Sequence, residues 1–240
     1  MKPEEFTKSF DFVLDALLRW VACLRGPAAV SRSILSLAAD PGDAFKRALS
    51  IWITALLLSV IARGWAYQLH GIGLGNVAFQ LTSTLLLLGV LVGFVLCLQL
   101  GFRLFKLRIP FAETFVAYTV HVSALAPFIA LIFSPLVARM IGLLKALKAE
   151  GVGLEEICPR YFAASSAQQD STLGIVVMAL QVISMPVFSV HFALVFGFLA
   201  DRNQLQRTAV FNAGAFGFVL GLIPTGLLSL ANLLVIYAFV

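Results

Sequence analysis

Long apolar runs alternate with short basic clusters along this chain. The runs cover 48–62, 79–102, 115–138, 174–200 and 211–240. An α-helix needs roughly 17–25 consecutive apolar residues to cross the hydrocarbon of a bilayer, so each run predicts a membrane span. With their flanks, the expected spans are 46–66, 79–102, 115–138, 174–200 and 211–240. Backbone groups in lipid must be satisfied internally, which leaves helices or a closed barrel. Barrel strands alternate apolar and polar residues, whereas Leu56–Leu58 and Leu85–Leu88 are unbroken. The pattern therefore predicts an all-α fold, a polytopic membrane bundle of about five transmembrane helices.

The segment before the first span has a different period. Phe6, Phe10, Leu14, Leu17 and Val21 recur at helical spacing, with Val13 and Leu24, while Lys8, Asp11, Asp15 and Arg19 fall opposite. This predicts an N-terminal amphipathic helix within residues 1–39, with Trp20 at headgroup depth, lying in the interface or packing on a partner. Gly26 and Pro27 end it, and a second short helix is expected over 28–39. Asp40, Pro41 and Asp43 form a helix start: an N-cap, a first-turn proline and an acid at the positive dipole end. Residues 68–78 read as a turn. Gly71, Gly73 and Gly75 lack the preceding strand and following Lys-Ser of a phosphate loop. In the third run Pro127 predicts a kink and Pro135 a stop. Residues 149–173 read as a polar loop.

Composition agrees with a membrane solvent. Of 240 residues, 60% are hydrophobic and 12% charged, about half the charge of an ordinary soluble domain. The net charge of +5 does not mark a nucleic-acid binder, because the basic residues flank spans and do not form one stripe. Cys23, Cys97 and Cys158 are dispersed and set up neither a disulfide framework nor a metal site. No cleaved signal peptide is evident near the acidic N-terminus. With that terminus inside, Lys2, Lys8, Arg19, Arg25, Arg32, Lys46, Arg47, Arg103, Lys106, Arg108, Arg202 and Arg207 face the cytoplasm. Arg63, Arg139, Lys145, Lys148 and Arg160 then fall outside. The imbalance predicts an N-in, C-out protein of the bacterial cytoplasmic (inner) membrane.

Polar groups inside spans are the candidate chemistry. His121 and His191 fall at similar depth from the same side, and Gln99 enters that side. The three are expected to share a polar cluster or to serve as interhelical hydrogen bonds. Glu113 is expected to pair with Arg108. Pro127, Pro186 and Pro224 are candidate hinges, and Gly89, Gly93, Gly101, Gly214, Gly217 and Gly221 predict close helix packing. No nucleophile, cofactor or nucleotide constellation emerges.

Two stretches resemble the Yip family of five-span membrane proteins: DPGDAFKRAL at 40–49 and FRLFKLRIPFAETFVAY at 102–118. The second is similar to that family's basic turn and entry to its third span, and the order of spans matches over 40–240. The resemblance implies membrane organisation through helix and N-terminal contacts, and it supplies no catalytic residue. The expected function is a non-enzymatic scaffold or accessory subunit whose partners are the bilayer and another protein or a second copy. The alternative is a small transporter using the proline-broken spans and the histidine level.

Overall fold

The computed structural model describes residues 14–15, 17–69, 77–132, 134–167, 179 and 189–239. Among them every regular element is helical. A first helix, α1 (17–25), leads through Gly26 to α2 (Pro27–Leu37). There follow α3 (Pro41–Leu69), α4 (Val77–Leu104), α5 (Phe111–Ile132), α6 (Ser134–Ala149) and α7 (Leu154–Ala167). Residues 189–202 form α8, and α9 runs over Arg207–Phe239.

Four helical segments are long and apolar enough to cross a membrane: Pro41–Ala62, Thr84–Leu104, Phe111–Ile132 and Arg207–Phe239. Of the run expected at 174–200, residues 174–178 and 180–188 lie outside the described residues, and 189–202 are helical. Two expectations are redrawn. The third span is not one element over 115–138, because α5 ends at Ile132 and α6 restarts at Ser134. Pro135 has no N–H to offer the Leu131 carbonyl four residues back, and Ser134 Oγ donates to that carbonyl instead at 2.7 Å. The stretch expected as a polar loop contains α7, whose first turn carries Glu155 and Glu156, well placed for the positive end of the helix dipole.

Side-chain pairs fix how the helices lie. Phe45 at the start of α3 meets Phe111 and Phe115 at the start of α5, with centroids at 5.7 and 4.6 Å, so α3 and α5 run parallel. Glycines bring α4 and α9 into antiparallel contact. A Cβ on Gly217 would sit 2.7 Å from the Cys97 carbonyl and the Leu98 Cα, and one on Gly93 would sit 3.5 Å from Pro224. In lipid, such backbone approach replaces the hydrophobic drive that joins helices in water. Helix α8 returns antiparallel to α5, with Arg202 on Glu113 and His191 near His121. One end of the bundle therefore gathers Lys46, Arg47, Arg103, Lys106, Arg108, Arg202 and Arg207, and is called the basic end below.

The turns at that end are closed by αL caps. Lys106 (φ 58°) ends α4 and Gln204 (φ 53°) ends α8. The Leu107 N–H reaches the Phe102 carbonyl at 2.8 Å, and the Leu205 N–H reaches that of Ala200 at 2.9 Å. At the start of α3, Asp40 Oδ1 accepts the Asp43 N–H at 2.9 Å. At the opposite end, Ile141, Leu144 and Ile157 of α6 and α7 bury against Leu233, Ile236 and Tyr237 of α9. The Tyr237 hydroxyl donates to the Val152 carbonyl, and Lys148 Nζ donates to the Tyr237 carbonyl at 3.3 Å.

Candidate functional site

Helix α5 is the central helix: 61% of its most apolar window is buried, against 39% or less for the other three. Its middle turns hold the polar groups that are hardest to place in a bilayer. His121 is 1% exposed, and its Nδ1 lies 2.6 Å from the Ala117 carbonyl. A carbonyl only accepts, so Nδ1 carries the proton and Nε2 presents a lone pair. Among the described residues that buried Nε2 has no hydrogen-bond partner, and neither has Nε2 of His191 on α8. The two rings stand nearly perpendicular with centroids 5.9 Å apart. They border a cavity of about 90 Å³ whose other walls are Tyr118, Val122, Leu125, Ile129, Phe192 and Val195.

Below this cavity, toward the basic end, an aromatic floor closes the bundle. Phe94 stacks on Tyr118 at 5.0 Å, and Phe192 meets Phe218 edge-on at 4.5 Å. Gln99 lies deeper still and does not join the histidines. Its Nε2 donates to Thr114 Oγ1 at 2.6 Å and to the Ile109 carbonyl at 3.2 Å, pinning the α4–α5 turn. Thr114 precedes His121 by seven residues, or about 10 Å of helix. The structure thus brings together two members of the expected trio and gives the third a separate task.

Above the cavity sits Pro127, inside α5. A proline has no N–H, so the Ser123 carbonyl one turn earlier loses its normal donor. Trp20 of α1 supplies one: its indole Nε1 donates to the Ser123 carbonyl at 2.9 Å. The same ring stacks on Phe128 with centroids 6.0 Å apart. A backbone carbonyl left unpaired in hydrocarbon costs several kcal/mol, so this contact makes a proline inside the helix tolerable. Pro224 sits in α9 against Gly93 of α4. Pro186 lies outside the described residues.

The expected apolar row of the N-terminal helix divides. Trp20 turns inward with the fully buried Cys23 and Leu17 is half-buried, whereas Leu14, Val21 and Leu24 stay exposed, as does Leu18 outside that row. Phe6 and Phe10 lie outside the described residues. Glu113 pairs not with Arg108 but with α8: Arg202 Nε and Asn203 Nδ2 each donate to it at 2.9 Å. That clamp fixes the height of α8, and hence of His191, against α5. Sequence reasoning missed both Trp20–Ser123 and Glu113–Arg202. The first had a signal, since Pro127 implies an orphan carbonyl at position 123, but the identity of the donor had none.

Chemically, the site offers two imidazole nitrogens without a partner among the described residues, in a pocket lined otherwise by apolar side chains and Tyr118. Among the described residues no three His, Cys, Asp or Glu side chains are grouped to hold a metal ion. The cavity volume corresponds to about three waters at roughly 30 Å³ each. The pair is suited to hold water or a small neutral hydrogen-bonding solute, since burying an uncompensated ion there would be costly. No family model matches the chain, and no curated protein or solved structure matches it.

Proposed function

We propose that this integral membrane protein works without enzymatic chemistry, as a scaffold or accessory subunit of a membrane assembly. The observation that carries this reading is how the interior polar groups are used. Trp20 on Ser123, Gln99 on Thr114 and Ile109, and Arg202 and Asn203 on Glu113 each bind one chain segment to another. The Yip-like stretches at 40–49 and 102–118 favour the same reading, with the basic end in the cytoplasm of a bacterial inner membrane. In mild detergent the full chain is expected to migrate within a complex larger than its own 25.9 kDa and detergent allow, and deleting residues 1–26 is expected to dissolve that complex. A monodisperse single copy for both forms would overturn the proposal.

A second reading, transport of a small solute, draws support from the cavity between His121 and His191. It expects flux through proteoliposomes that disappears when both histidines are replaced by leucine. Flux that survives the double replacement, or its absence from the parent protein, removes it.

A further inference from the structure

The N-terminal segment docks far deeper than a helix resting at the headgroups. The Gln99–Thr114 bond lies beside the arginines and lysines of the basic end and marks that boundary. Ser123 and Phe128, both touched by Trp20, are nine and fourteen residues further along α5, or about 14 and 21 Å. The hydrocarbon is about 30 Å thick, so Trp20 stands near its middle. The same depth follows from the N-terminal side. Leu37 ends α2 just before α3 starts at the basic end. Trp20 is seventeen residues earlier, at most about 26 Å away because Gly26 interrupts the helix. Phe128 likewise follows Phe111, where α5 starts, by seventeen residues. Two segments of equal rise, starting together and meeting at Trp20–Phe128, run side by side in opposite directions.

We infer that residues 17–37 cross the bilayer beside α5 as a helix broken at Gly26, with the exposed row Leu14, Leu18 and Val21 in contact with lipid acyl chains. The charges on that exposed side are either displaced toward a surface or, for Arg19 beside Trp20, paired. Arg25 lies about 8 Å nearer the basic end than Trp20, within snorkelling reach of its headgroups. Asp15 is about 8 Å further from it, toward the other surface, and holds Arg19 at 2.7 Å in an ion pair. Arg32 lines a crevice at the basic end with Asp201, Arg202 and Arg207. Between Arg19 and Arg25 every residue is uncharged. The contact itself argues for a dry setting. Water at the interface would satisfy the Ser123 carbonyl without help, whereas in hydrocarbon a protein donor has to be provided.

The test uses the full chain in proteoliposomes. A spin label at Leu18→Cys, with Cys23, Cys97 and Cys158 replaced by alanine, reports collisions with oxygen and with a water-soluble nickel chelate. The inference expects frequent collision with oxygen and little with the chelate. The reverse ratio would place the helix in water or at the interface. Rare collision with both would mean that a second copy or another protein covers this face. Either result overturns the inference. A second measurement leaves the clasp and the cysteines untouched. With Trp52→Phe and Trp65→Phe, Trp20 fluorescence should be quenched more by lipids brominated at mid-chain than near the carbonyls. Stronger quenching by the shallow bromines would refute the depth.

Discussion

The Trp20 indole and the Pro127 ring are two halves of one arrangement, and this makes their energetic coupling predictable. Trp20→Phe keeps an aromatic ring to stack on Phe128 but removes the indole N–H that donates to the Ser123 carbonyl. Leaving that acceptor unsatisfied costs about 1–3 kcal/mol. The smaller ring forfeits up to about 1 kcal/mol of packing besides. The single substitution should therefore destabilise by about 1–4 kcal/mol. In a Pro127→Ala background the alanine N–H restores the ordinary helical bond to Ser123. There Trp20→Phe should cost only the packing, about 1 kcal/mol. The cycle predicts a coupling of about 1–3 kcal/mol, well above the 0.3–0.5 kcal/mol within which independent sites add. Unfolding in mixed micelles titrated with SDS gives the four free energies. Thiol reactivity of Cys23, which is 0% exposed in the folded bundle, is a convenient probe. Equal cost of Trp20→Phe in both backgrounds would refute the reasoning, because Ser123 would then not need Trp20.

Two further predictions concern how the helices are held. Gly217→Ala should destabilise the bundle by about 1–3 kcal/mol, since its Cβ meets α4 backbone at 2.7 Å. Gly226→Ala on the same helix meets nothing within 4 Å and should be neutral or stabilising by up to about 1 kcal/mol; both are read from the same SDS titration. Glu113→Gln should loosen α8 from α5 by at most about 1 kcal/mol, because the Arg202 pair is partly solvent-screened. Faster amide exchange confined to 199–205, and an effect that shrinks in high salt, would be the signature; salt-independent loss of the whole bundle would contradict it.

What was legible in the sequence was mostly height, and what was hidden was azimuth. Apolar runs and basic flanks locate the α3, α4, α5 and α9 segments along the bilayer normal, and counting residues from a flank puts His121 and His191 at one level. The glycine spacing on α4 and α9 likewise announces a close backbone contact, and Gly101 and Gly217 do pack against the facing helix. Helix α5, however, is apolar nearly all round, so no stripe tells which side chain looks where. Gln99, whose partner Thr114 lies about 10 Å along α5 from His121, serves a different neighbour from the histidines. Glu113 has Arg108 five residues away in sequence, but its partner is Arg202, 89 residues distant. The end of α5 was misread for a related reason. Pro135 marks a boundary, and Ser134 Oγ takes the carbonyl that the proline frees.

The arrangement around Pro127 ties the N-terminal segment to the cavity. Leu125 and Ile129, which flank the proline, are cavity walls, and Ser123, which Trp20 holds, is two residues from His121. Bending α5 at Pro127 to widen the cavity is expected to stretch the Trp20 bond, which is held four residues before the proline. A solute too large for about 90 Å³ therefore binds against a penalty of about 1–3 kcal/mol. By reciprocity, any contact that lifts α1 off α5 raises the affinity of such a solute by the same factor, typically about 5- to 150-fold for couplings of this size. A solute small enough to fit without bending would feel no effect of α1. Scaffold and solute readings are then two uses of one linkage, in which the position of α1 and the occupancy of the histidine cavity are thermodynamically conjugate.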